Sequence, residues 1–215
     1  QLYLLSLQIL STLTPKAIEL DVPEATAAVQ SELDDELAAA KAEFESIFWN
    51  PTTGRYRYCD GTGGIEDRTG DIYGNKKPVL PPDVVFLDSF FAQCIASQLG
   101  LPDLIDVENA RTHWNNTLDA FLAPTDPSGR QVGPPIMLDT DLKHFGMHYM
   151  QPEGRFLAEL ADVWPGTTYM ATAAAVHIGR QTGDDALVEK ALKMSEAVAN
   201  IVFDDADLDN AVYWA

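Results

Sequence analysis

Thr167-Thr-Tyr-Met-Ala-Thr-Ala-Ala-Ala-Val-His-Ile-Gly-Arg180 and, one turn later, Asp184-Asp-Ala-Leu-Val-Glu-Lys-Ala-Leu-Lys-Met-Ser-Glu-Ala-Val-Ala-Asn-Ile-Val-Phe203 form a pair of unlike helices. The first is small and apolar on nearly every face, as a helix buried on several sides would be. The second is amphipathic, with Leu187, Ala191, Met194, Val198 and Ile201 at helical spacing. Working towards the N-terminus, the same alternation appears twice more. An apolar stretch at about 83–99 (Val84, Val85, Phe86, Phe90, Phe91, Ile95), closed by Gly100, precedes an amphipathic one at about 103–122 (Leu104, Val107, Trp114, Leu118, Phe121). An apolar stretch at about 2–13 precedes one at about 24–48, which carries Leu33, Leu37, Phe44 and Phe48 on one stripe and Asp34, Asp35 and Glu36 off it. Pro15 and Pro23 bracket the linker between these two, and Asn50-Pro-Thr-Thr-Gly54 breaks the second.

Short turns and long loops alternate between these helices, with the long ones at about 60–83 and 123–165. Concentric layers produce such an order: inner helices buried on both sides, outer helices wetted on one. The expected fold is all-α, a partial (α/α)6 toroid of about three helical hairpins, its long loops gathered at one mouth where a pocket would sit. A plain helical bundle or solenoid is the alternative on this pattern.

The chain of 215 residues has 14 Lys+Arg against 33 Asp+Glu, a net charge of −19. That balance argues against nucleic acid or an anionic membrane as partner. With 46% apolar residues the composition is that of a globular domain, and the acid is spread along the chain rather than gathered in a tail. Two cysteines, Cys59 and Cys94, are too few for a disulfide framework and fit a reduced, cytoplasmic setting. No apolar run reaches the length of a membrane span. Both ends are abrupt: Gln1 begins as if inside a helix, and Asn210-Ala-Val-Tyr-Trp-Ala215 reads as chain entering more protein, so residues 1–215 are expected to be a piece of one longer domain.

Three segments suit sugar recognition, where rings stack on C–H faces while amides and carboxylates bind hydroxyls. They are Phe48-Trp49-Asn50-Pro-Thr-Thr-Gly54-Arg-Tyr56-Arg-Tyr58-Cys-Asp60, Phe86-Leu-Asp88-Ser-Phe-Phe-Ala-Gln93, and Asp162-Val-Trp164-Pro-Gly166-Thr-Thr-Tyr169. Each also has a structural explanation. Trp49 and the tyrosines would staple a hairpin, Asp88 and Gln93 would bond a neighbouring loop, and Asp162 would cap a helix. Other signals are weak. His144 and His148 stand four apart near Asp139, Asp141 and Glu153 but lack a zinc-binding helix pattern. The glycines at 61–64 lack the residues of a phosphate loop, and Asp60, Glu66, Asp67 and Asp71 do not have EF-hand spacing. Asn115-Asn-Thr117 forms a glycosylation sequon inside a predicted helix, and His113 and His177 are lone helical histidines.

In that order and spacing the three segments resemble glycoside hydrolase family 116, which includes the non-lysosomal glucosylceramidases and prokaryotic β-glucosidases. Met150-Gln-Pro-Glu-Gly154 also falls where that family has a Met-x-Pro-Asp-Gly turn. The resemblance runs discontinuously over nearly the whole chain. It implies a retaining β-glucosidase whose catalytic domain has six helical hairpins, with this chain its C-terminal half. The two carboxylates of such an enzyme stand about 5–5.5 Å apart; both are expected upstream of Gln1, so residues 1–215 alone are expected to be inactive. The carry-over assigns no catalytic residue here. It makes Asp162, Trp164, Asp88, Gln93 and Trp49 the substrate-binding candidates for a β-glucoside or glucosylated lipid, with no cofactor and no metal. Departures include Ser89-Phe90-Phe91 for Gln-Leu-Ala, Cys94 for an aromatic, His148-Tyr149 for Asn-Gly, and Asp162 for the family's Glu. They motivate the alternative of a non-catalytic carbohydrate-binding or interaction scaffold.

Overall fold

The computed structural model describes residues 1–58, 82–125, 129, 131, 133–143 and 163–204. Cys59, the acids Asp60, Glu66, Asp67 and Asp71, the glycines at 61–64, His144, His148, Glu153, the turn at 150–154, Asp162 and the 210–215 end lie outside the described residues. Among the described residues the chain is mostly helical, with six helices and four two-residue strands.

Helix α1 (Leu2–Glu19) runs through Pro15 instead of ending at 13. Proline removes only the amide that would bond the Ser11 carbonyl. Beyond it the coil continues, with Leu20 N donating to Lys16 O at 3.2 Å, and α1 is held along its length by α2 (Ala27–Phe48). Thr26 caps α2, its hydroxyl accepting from Val29 N at 3.2 Å. Strands β1 (Trp49–Asn50) and β2 (Arg55–Tyr56) then form a tight antiparallel hairpin. Gly54 turns it at φ +62°, a left-handed conformation that strains any other residue, and a Cβ there would also push aside the Asn116 side chain, whose Nδ2 would stand 2.4 Å away.

The apolar run expected as one helix at 83–99 divides. Val85–Phe86 is strand β3, paired antiparallel with β4 (Met137–Leu138), and only Phe91–Gln98 is helical as α3. The β-branched valines and the prolines before them favour an extended backbone, but the partner strand lies some fifty residues away, roughly a domain-scale separation invisible to local periodicity. Helix α4 (Val107–Leu122) is capped by Asp106, which accepts from Asn109 N at 2.8 Å. Helix α5 (Pro165–Thr182) places Pro165 in its first turn and ends at Gly183, φ +68°. Helix α6 (Asp185–Asp204) begins where Asp184 Oδ1 accepts from Leu187 N at 3.0 Å.

Helices α1, α3 and α5 touch in succession, while α2 lies on α1 and α6 on α5, with α4 against both α5 and α6. The core includes the fully buried Phe121 and the rings of Tyr56, Phe90, His113 and Trp114, which meet one another at 4.9–5.9 Å. Glu45 joins three elements there: its oxygens accept from Tyr56 Oη at 2.7 Å, Asp106 N at 2.9 Å and Asn109 Nδ2 at 3.0 Å. No described helix is long and apolar enough to cross a membrane.

Candidate functional site

Where α2 ends, the hairpin and β3 begin a cleft of about 560 Å³. Phe44 and Phe48 of α2, Tyr56 of β2, Tyr58 just beyond that strand, Phe86 of β3 and Phe91 of α3 supply its walls. Their spacing in the chain follows from local structure. Phe44 and Phe48 are one helical turn apart, with ring centroids at 4.8 Å, and Tyr58 stacks on Phe86 at 5.1 Å and 21°. After β3 the backbone makes a tight turn: Ser89 Oγ donates to Phe86 O at 2.7 Å and Phe91 N to Asp88 O at 3.0 Å. That turn sets Asp88 at the rim of the cleft. Crowding by the wall removes water from its carboxyl and raises its pKa, partly offset by its own backbone amide. Arg57 also reaches the cleft, its charge directed to Asp83 at 3.3 Å.

The other candidates do not gather there. Trp49 stands behind the wall, its ring 5.2 Å from that of Tyr56, and is not among the lining residues. Trp164 caps α5 and is 44% exposed, again outside the lining of the cleft. Asp162 lies outside the described residues. Gln93 is fully buried, with both sides of its amide in use: Nε2 donates to Asp103 Oδ1 at 2.6 Å and Ser97 Oγ at 3.2 Å, and Oε1 accepts from Leu104 N at 2.8 Å. Phe44 reads from sequence as part of a plain helix face, whereas Phe48 and Phe91 lie in two of the segments suited to sugar recognition without being binding candidates themselves; their signal was the aromatic density over 44–58 and 86–91, not any one position.

No protein-family model matches the chain, and no curated protein matches it.

Gln93 belongs to a polar cluster around Asp103. Asp103 Oδ2 accepts from Gln181 Nε2 at 2.9 Å, and His177 Nε2 stands 3.3 Å from Oδ1. Lys41 Nζ donates to the Asp103 carbonyl at 2.7 Å and to Gln8 Oε1 at 2.9 Å, so the corner before α4 ties α1, α2, α3 and α5 together. Burial lowers the Lys41 pKa, and the Asp103 charge opposes that shift. Gln93→Ala leaves the Leu104 amide buried without a partner. It is expected to cost about 1–3 kcal/mol of stability, read by urea unfolding, while ligand affinity of the folded protein stays unchanged.

The remaining singled-out residues have structural roles. His113 Nδ1 accepts the Tyr56 amide at 3.0 Å, and the sequon's Thr117 is buried with its hydroxyl on the His113 carbonyl at 2.8 Å. Cys94 is a buried free thiol whose pKa burial raises. Among the described residues no cluster of three or more His, Cys, Asp or Glu side chains is placed to hold a metal ion. Chemically, the cleft offers ring faces for C–H surfaces and one described carboxylate for hydroxyl donors. Glycoside hydrolysis with retention needs two carboxyls, and Asp88 is the one acid among the described lining residues.

Proposed function

We propose that this chain forms part of the substrate-binding wall of a retaining β-glucosidase with an α/α-toroid catalytic domain, similar to glycoside hydrolase family 116. The nucleophile and acid/base of that enzyme lie outside residues 1–215, and the chain by itself binds glucosides without hydrolysing them. The supporting observation is the aromatic cleft of about 560 Å³ with Asp88 at its rim. Rings in that number cover the apolar face of a pyranose or of its aglycone, and a partly desolvated carboxylate rewards a hydroxyl donor more than a fully wetted one does. The succession of α1, α3 and α5 with α2, α4 and α6 laid against them is compatible with inner and outer layers of such a ring.

Titration of the 215-residue chain with octyl β-glucoside and methyl β-glucoside, followed by amide NMR shifts, tests the reading. Shifts should concentrate at Phe86, Asp88 and Phe91, the octyl compound should bind more tightly, and Asp88→Asn should weaken both by about tenfold, the scale of one hydrogen bond to a charged group. Shifts scattered away from the cleft, or an Asp88→Asn variant that binds as well as the parent, would sink it.

A further inference from the structure

Helix α1 is packed on α2 and α3, and among the described residues its remaining face is uncovered: it is uncharged from Leu2 to Thr14 and carries the exposed Lys16–Glu19 ion pair at its C-terminal end. Tyr3, Ser6, Leu10, Leu13, Ala17 and Leu20 fall at alternating spacings of three and four, the spacing of a heptad seam. The four largest apolar side chains on it are 51–67% exposed, from Leu10 to Leu20. No charged residue occurs between 2 and 14 in a chain of net charge −19.

The border of this stripe towards α2 is acidic. Tyr3 Oη donates to Glu36 Oε1 at 2.7 Å and Ser11 Oγ to Asp34 Oδ1 at 2.6 Å, which fixes both carboxylates beside it. Glu32 and Asp35 are exposed on the same helix, whose one basic residue, Lys41, is turned inward to Gln8 and Asp103.

We infer that the exposed face of α1 is a docking site for an amphipathic helix that carries an apolar heptad stripe with basic residues along the flank facing α2. The apolar spacing selects a helix over an extended segment, since knobs at three and four residues match holes of the same period. The acidic border selects the basic flank and disfavours a second copy, which would bring another −19 charge to the contact. Leu2 and Tyr3 belong to both this face and the cleft lining, so the docked helix would stand at the edge of the cleft. The inference is independent of what the cleft binds.

The probe is a labelled 21-residue helical peptide with Leu at both seam positions and Lys along the flanks, and a twin with Glu in place of Lys. Anisotropy with the 215-residue chain should give at least tenfold tighter binding for the Lys peptide. Leu10→Glu with Leu13→Glu is the deciding variant. Both side chains are exposed, so folding, checked by circular dichroism, is kept, and the change adds negative charge while removing the seam. Docking requires the Lys peptide to lose at least tenfold on this variant. Unchanged or tighter binding means mere charge attraction and overturns the inference, as does equal binding of the two peptides. Concentration-dependent dimers abolished by the variant would assign the face to a second copy instead. Flotation with anionic vesicles abolished by the variant would assign it to a lipid surface.

Discussion

Replacing His113 by Asn is expected to flatten the acid limb of the protein's stability curve between pH 6.5 and about 3. The imidazole is fully buried among Tyr56, Phe90 and Trp114, and its pKa is lowered from 6.5 to about 3, first by burial and then by the Arg55 cation. Because Nδ1 accepts the Tyr56 amide at 3.0 Å, the neutral ring carries its proton on Nε2, which has no acceptor among the described residues. The unfolded chain takes up a proton on this group near 6.5, whereas the folded chain does so only near 3. Within that window the unfolded state binds more protons, so stability falls as pH falls, by about 1.4 kcal/mol per unit from this group. Above the window His113 contributes no pH dependence. Asn supplies an oxygen where Nδ1 stood and cannot ionise, so the variant starts less stable at pH 8 and converges on the parent as the pH drops. Urea midpoints from pH 8 to 4 read the difference. Parallel curves would show that His113 does not stay neutral in the fold.

Trp114 should show the largest packing effect, and two substitutions there should diverge. The indole is fully buried, 5.1 Å from Phe90 and 5.6 Å from His113, yet its Nε1 has no acceptor among the described residues. Trp114→Ala removes the ring and opens a cavity at the centre of the core, expected to cost about 3–5 kcal/mol. Trp114→Phe removes less volume and also deletes a buried donor whose lost hydration costs about 1–3 kcal/mol. The two terms oppose, and the Phe variant is expected within about 1 kcal/mol of the parent. Unfolding followed at 222 nm, a backbone signal, is the measurement. If Phe proved as costly as Ala, ring volume alone would hold this site and the unpaired donor would cost nothing.

The two sites share a property that local patterns do not carry. The spacing of Trp114, Leu118 and Phe121 marks a buried face of α4, but nothing in the sequence says that His113 would spend its lone pair on a strand amide fifty-seven positions away. Gln93 is a similar case. A glutamine near the start of an apolar helix reads equally as a ligand contact or a corner brace, and the fold commits it to Asp103, Ser97 and Leu104. The division of the 83–99 run into β3 and α3 has the same origin, because the partner strand at Met137–Leu138 is remote in sequence.

Helix content, helix caps and helix order were determined by the sequence itself. Thr26, Asp106 and Asp184 are short polar side chains whose preference for helix starts is local, and the apolar spacing along each helix is local too. So was the aromatic richness that ends in the cleft. Tertiary structure alone decided which of those rings meet. It set Phe44, Tyr58, Phe86 and Phe91 around one space with Asp88 at the rim, and it left Trp49 behind the wall and Trp164 outside the lining. The physical reason is range: caps and periodicity act over one or two turns, whereas a cleft forms where elements remote in sequence are pressed together by burial of their other faces.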